Sequence, residues 1–214
     1  MTPVVFDLDG TLIDSLGGIA RAANALLAEQ GLAAVPERQV AGYVGHGEHI
    51  FIDRLIADTA LDAGDRAALL ARFMTHYKAA SRNTPLFPGV AEALARLKAR
   101  GVALGLCTNK PGGPLAAVLD GLGWQSMFGA VVAGDTLARR KPDPAPLLHV
   151  FDRLGGRGVY VGDSPIDGAT AQAAGVPFVL FTQGIRTVPV QDIAHDAAFD
   201  DFADLPGILD RLAG

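Results

Sequence analysis

The chain has 214 residues, half of them hydrophobic, with 18 Lys+Arg against 23 Asp+Glu and a single cysteine. That length can enclose a hydrophobic core without disulfides, and it predicts one domain or a core carrying a smaller insert. A formal charge of −5 argues against a non-specific nucleic-acid surface, which needs a basic excess, and one cysteine rules out an intrachain disulfide and fits a reducing compartment.

The first apolar run, Pro3 to Phe6, reads as a strand that ends in Asp7-Leu8-Asp9-Gly10-Thr11. Asp7 and Asp9 interrupt it too early for a secretory signal. No apolar stretch approaches the roughly 20 residues that span a bilayer, so a soluble, cytoplasmic protein with no membrane partner is expected. A helix follows, with Ile19, Ala23, Leu26 and Leu27 near a 3.6 period and Asp14 or Ser15 as its cap. Residues 32–83 carry helical patterns and little strand signal. Leu69, Leu70, Phe73, Met74 and Tyr77 mark one amphipathic face. Three glycines within residues 42–47 make Gly42-Tyr43-Val44-Gly45-His46-Gly47 a loop.

Beyond Pro85-Leu86-Phe87-Pro88-Gly89, strands and helices alternate. Val90, Leu94 and Leu97 line a helix that stops at Gly101, and Val102–Cys107 reads as a buried strand. A helix through Leu115, Val118, Leu119 and Leu122 comes next. Further strands are expected at Ala130–Ala133, Gly158–Val161 and Val176–Phe181, then a short pairing at Ala197–Phe199 and a helix from Leu205. This order predicts an α/β fold with a doubly wound parallel sheet. The expected division is an α/β core of residues 1–14 and 84–214, with a small helical cap of residues 15–83 inserted after the first strand.

Ligands of such sheets bind beyond the carboxyl ends of the strands. Polar residues collect there: Asp7, Asp9 and Thr11 after the first strand, Thr108, Asn109 and Lys110 after the second, Lys141 after the third, Asp163 and Asp167 after the fourth. If those strands are neighbours, four carboxylates converge on one site. They cannot all stay ionised without a compensating cation. A hard divalent ion with oxygen ligands, Mg²⁺ above all, answers that need. Lys141 and the loop amides suit a phosphoryl group. Metal, phosphate and a spare carboxylate together are the equipment of phosphoryl transfer.

These motifs resemble those of the haloacid dehalogenase superfamily in its phosphatase form. Asp7-Leu8-Asp9-Gly10-Thr11-Leu12 is similar to its first motif, Thr108 to its second, Lys141 to its third, and Gly162-Asp163-Ser164-Pro165-Ile166-Asp167 to its fourth. All four come in order and the resemblance spans nearly the whole chain. It implies a Rossmann-like core and a catalytic set of Asp7, Asp9 and Lys141. Asp7 would be the nucleophile that forms an aspartyl-phosphate. Asp9 would be first acid and then base. It implies Mg²⁺ held by Asp7, the Asp9 main-chain carbonyl, Asp163 and Asp167, with Asp167 either ligating or supporting. Thr108 and the Asn109 amide would hold phosphoryl oxygens, with Gly10 and Thr11 on the same phosphate-binding side. An aspartate at position 9 favours phosphatase or phosphomutase over dehalogenase.

The opening string through Ser15, the loop Gly45-His46-Gly47, Pro88-Gly89-Val90 and Thr108-Asn109-Lys110-Pro111 resemble the phosphoglycolate phosphatase branch. Ile185 departs from it, since an aromatic residue is commoner there. The resemblance implies a small phosphorylated metabolite as partner, 2-phosphoglycolate first. A sugar phosphate, a nucleotide or pyrophosphate comes next, and a β-phosphoglucomutase-like mutase or a non-catalytic binding module last. The backbone of Gly45, His46 and Gly47 would supply donors for the substrate carboxylate, with Arg54 or Lys110 adding charge. His46 reads equally well as a hinge residue. His49, Arg139 and Arg140 read as solvated, as does Arg54 on its other reading, and Cys107 as buried filling. Monomer and homodimer both stay open.

Overall fold

The computed structural model describes residues 2–213. Its sheet has six strands, β1 (Val4–Phe6), β2 (Leu104–Cys107), β3 (Ala130–Val132), β4 (Val159–Gly162), β5 (Phe178–Phe181) and β6 (Ala197–Phe199), in the order β3-β2-β1-β4-β5-β6. Every pairing is parallel. This is the doubly wound α/β sheet expected from the alternation. The strand order reverses between β1 and β4, and the crevice above that point is where such sheets take ligands.

The central strands β1, β2, β4 and β5 are buried throughout because helices cover both faces. Val4, Phe6, Leu104, Leu106, Val159 and Val161 point to one side. There they meet α5 (Val90–Ala99), α6 (Gly112–Leu122) and α9 (Leu205–Ala213). Val5, Cys107, Tyr160 and Phe178 alternate onto the other side. They pack under α7 (Ala145–Arg153) and α8 (Pro165–Ala174). Strand β2 begins later than expected. Val102 turns back to donate its N–H to the Leu97 carbonyl, closing the end of α5 instead of entering the sheet.

Between β1 and α5 lie α1 (Leu16–Glu29), α2 (Glu37–Ala41), α3 (Glu48–Ala57) and α4 (Arg66–Ser81). They bury an apolar cluster of their own, including Ile19, Leu26 and Leu27 of α1, Ile52 and Leu55 of α3, and Leu69 of α4. Tyr43, Phe51, Phe73 and Tyr77 run through it as a chain of ring contacts with centroids 4.5–5.6 Å apart. Ser15 occupies the N-cap position of α1, but its hydroxyl makes no capping bond. The insert meets the core where α4 packs on α6. Among the described residues, no helix is long and apolar enough to cross a membrane.

Candidate active site

Asp7 follows β1 directly and Asp163 follows β4, so the pairing of these strands brings both carboxylates to the reversal point. Asp167 sits one turn into α8, where a capping box fixes it. Ser164 receives the Asp167 amide, and the Asp167 carboxylate receives the Ser164 backbone and hydroxyl protons. One oxygen each of Asp7, Asp163 and Asp167 lies within 4.8 Å of the others, and all three residues are buried.

Lys141 answers this charge. Its ammonium stands 2.7 Å from Asp167 and 2.8 Å from Asp7, and donates to the Tyr160 hydroxyl at 2.9 Å. The pair with Asp7 has ionic distance but not hydrogen-bonding geometry, so Asp7 Oδ1 is buried without a hydrogen-bond partner. Burial works to lower the Lys141 pKa, and the charges of Asp167 and Asp7 outweigh it, so Lys141 stays protonated. Burial raises Asp7 to about 7, against the pull of Lys141 and with the repulsion of Asp167 and Asp9. Burial, then Asp167 and Asp7, push Asp163 well above the ordinary carboxylate range. Burial also opposes ionisation of Asp167, but Lys141 and the hydrogen bonds from Ser164 and Tyr160 hold its pKa low.

Three carboxylates facing one ammonium lack positive charge. That deficit, with one oxygen of each acid within 4.8 Å of the others, makes the cluster a fit for a hard divalent cation. The donor sets are unequal. Asp167 Oδ1 already accepts from Lys141 and Tyr160, and Oδ2 from Ser164 twice. Asp163 accepts one bond per oxygen, from Thr11 at 2.8 Å and from the Ile185 amide at 2.7 Å, so each oxygen keeps acceptor capacity.

Asp9 lies at the edge facing the insert. Lys110 donates to it at 3.0 Å and to the Tyr77 hydroxyl at 2.7 Å, and Tyr77 donates to Asp9 at 3.5 Å. Burial lowers the Lys110 pKa, opposed by Asp9. Thr108 closes the second strand end, its hydroxyl accepting the Lys110 amide at 3.2 Å. The Asn109 side chain, at the cleft wall, is spent on backbone partners. Its amide donates to the carbonyls of Gly45 and Lys141, and its oxygen accepts the Lys141 N–H.

Asp7, Asp9, Thr108, Lys110, Lys141 and Asp163 form the core side of one cleft, and Tyr43, Val44, Gly45, Gly47, Phe51 and Tyr77 face them from the insert. Several expected residues sit elsewhere. Thr11 does not line the cleft; its hydroxyl is spent on Asp163. Gly10, with φ of 86°, presses so closely on the Asp163 carboxylate that a Cβ would collide with it. Both residues thus shape the surroundings of Asp163. His46 is absent from the cleft wall. Arg54 is turned to the Gly42 carbonyl at 2.5 Å, so it brings no charge to the cleft. Arg140, expected on a solvated face, instead makes a forked ion pair with Glu48 at 2.7 and 2.9 Å. Tyr77, Tyr160 and Glu48 carried no site signal in the sequence. Tyr160 was hidden inside an apolar strand and Tyr77 inside a helix face read as core.

A family model for haloacid dehalogenase-like hydrolases matches residues 4–181. The chain belongs to that family. It is 44% identical over 216 residues to the phosphoglycolate phosphatase of Cereibacter sphaeroides, covering 99% of both chains. It is 48% identical over 212 residues to that of Rhodospirillum rubrum, covering 94% of this chain and 88% of the relative. The crystal structure of a predicted phosphoglycolate phosphatase from Haemophilus somnus superposes with a TM-score of 0.90 at 31% identity, covering 97% of each chain. These relationships make the protein a phosphoric monoester hydrolase.

Proposed function

We propose that this hydrolase cleaves 2-phosphoglycolate to glycolate and phosphate, with Mg²⁺, through an aspartyl-phosphate on Asp7, and that residues 15–83 act as a cap over a core of residues 1–14 and 84–214. The observation that carries the substrate is the pair of buried lysines on the cleft wall, Lys141 beside the acid cluster and Lys110 beside Asp9. Phosphoglycolate has an anionic group for each, phosphate for Lys141 and carboxylate for Lys110. The two relatives at 44% and 48% identity carry the same name.

Asp7, Asp163 and the Asp9 main-chain carbonyl would hold Mg²⁺, whose positive charge would let an anionic carboxylate approach an anionic ester. Lys141 and the Thr108 hydroxyl draw the phosphoryl oxygens into line with Asp7, and Asp167 keeps Lys141 in place. The Asp7 carboxylate attacks phosphorus as the ester P–O bond breaks, and Asp9 passes its proton to the departing glycolate oxygen. Asp9 then takes a proton from water, which attacks the phosphorus of the acyl phosphate and returns Asp7 to a carboxylate. A substrate carboxylate that takes over Lys110 releases Asp9 for this proton work. Apolar cap residues such as Phe51 exclude bulk water meanwhile.

A kinetic panel tests the reading: phosphoglycolate against sugar phosphates, nucleoside monophosphates and pyrophosphate, with and without EDTA. Phosphoglycolate should give the highest kcat/KM, and chelation should abolish turnover. Hydroxylamine should trap the acyl phosphate in the wild type and not in Asp7→Asn. A sugar phosphate winning by tenfold or more would overturn the substrate; absence of any trapped adduct would overturn the covalent route.

A further inference from the structure

We propose that Arg140 and Glu48 form an ionic latch that docks the cap onto the loop carrying Lys141, with Gly45 and Gly47 shaped as its seat, so that both charged residues are positioning residues for hydrolysis. The inference rests on the cap reading above but not on the identity of the substrate.

The pair crosses from one body to the other. Glu48 opens α3 in the insert and is buried, whereas Arg140 belongs to the core loop and immediately precedes Lys141. Both guanidinium ends engage both carboxylate oxygens, the geometry in which arginine binds a carboxylate most strongly. A second bond crosses at the same seam, from the Asn109 side chain to the Gly45 carbonyl at 2.8 Å. The same Asn109 amide group is clamped on both sides of the Lys141 backbone. Cap position and the backbone of Lys141 therefore share partners.

The glycines give the independent observation. At Gly47 a Cβ would run into the Arg140 guanidinium, and at Gly45 it would meet Ile166 Cδ1 of α8 at 2.9 Å. At each, the end of a core side chain occupies the space a Cβ would take. Gly47 also has φ of 87°, and Gly45 of 104°, conformations that glycine adopts without strain. The Gly45-His46-Gly47 loop is thus built to press on the core. Arg140 keeps 27% of its side chain exposed, so water competes for the pair and the contact can open. Glu48 also lines the cleft; without Arg140 it would present an uncompensated carboxylate to an anionic substrate.

The test is a double-mutant cycle, Glu48→Gln, Arg140→Met and both together. The assay uses whichever ester of the panel is turned over fastest, so that a wrong substrate assignment does not affect it. If the latch populates the closed form, each single change raises KM about tenfold, because only the closed fraction binds productively. In that case kcat stays within about threefold, and the double variant is no worse than the singles. Inhibition by inorganic phosphate, held by the core alone, stays within about twofold of wild type. Small-angle scattering of the ligand-free singles gives a larger radius of gyration. KM at the wild-type value, or KM effects that multiply in the double variant, would overturn the latch. So would phosphate inhibition weakening in step with KM, since that places the effect on Lys141 itself. If Arg140→Met fails to fold, Arg140→Lys, which keeps the charge but not the fork, completes the same cycle with the isosteric Glu48→Gln.

Discussion

Asp167 lies 2.7 Å from the Lys141 ammonium, nearer than the 2.8 Å separating that ammonium from Asp7. The lysine is tethered from behind and aims forward. All four hydrogen bonds to the Asp167 oxygens come from the protein, which marks it as the support of Lys141 more than a donor to metal. Asp167→Asn should lower kcat roughly 10–100-fold while the Mg²⁺ concentration for half-activity changes little. Asp163→Asn should raise that concentration steeply. A magnesium titration of both variants checks the division; Asp167→Asn behaving like Asp163→Asn would reverse it.

Tyr77 offers a second test. Its hydroxyl is an acceptor for a buried ammonium, and losing such a bond costs about 1–3 kcal/mol. Tyr77→Phe leaves Lys110 with Asp9 as its remaining side-chain acceptor in the free protein. The lysine then holds Asp9 more firmly, and kcat should fall roughly five- to tenfold, with 1.4 kcal/mol corresponding to a factor of ten. An unchanged kcat would mean that Tyr77 has no part in presenting Asp9.

The strand ends were readable because chemistry there is punctuated by apolar runs. Asp7, Thr108, Lys141 and Asp163 each follow a strand, and parallel topology collects such positions at one edge. Contacts across the seam were not readable. Arg140 looked like one charge in the run 139–141, and nothing in sequence spacing connects it to Glu48, 92 residues away. Gly45 and Gly47 announced close approach, but nothing in their spacing announced that Ile166 and Arg140 stand beside them. The partner of the Thr11 hydroxyl was hidden for a related reason. A hydroxyl beside two aspartates can point to ligand or to protein, and only the fold brings Asp163 within its reach.

Gly121 ties the helical insert to α6 by what it lacks. A Cβ there would strike the Arg82 main-chain carbonyl just after α4, and a backbone atom cannot swing aside as a side chain can. Gly121→Ala brings about 0.5–1 kcal/mol of helix preference, against roughly 1–3 kcal/mol of overpacking. The clash should win, lowering Tm by several degrees, about 2–4 °C per kcal/mol for a chain of this size. A Tm at or above wild type would show that α4 and α6 separate freely.

Glu48 gives the latch a pH dependence with a definite sign. Burial favours the neutral carboxyl, but the Arg140 hydrogen bonds and charge, aided by His49, hold its pKa below the ordinary 4.5. Arg140, His49 and, within the insert, Tyr77 are the groups that feel this charge. A carboxylate whose folded pKa is depressed adds stability above its unfolded pKa and loses it as pH falls through the folded value. With His49→Gln in both proteins, which removes the imidazole beside Glu48, the stability difference made by Glu48→Gln should therefore be constant above about pH 5.5. It should shrink as pH drops below 4.5. Other carboxylates titrate in the same range, and they cancel because both proteins contain them. Denaturant unfolding of the pair from pH 7 to pH 3.5 measures the difference directly; a gap that widened toward acid would mean that Glu48 is more stable protonated and that Arg140 does not hold it.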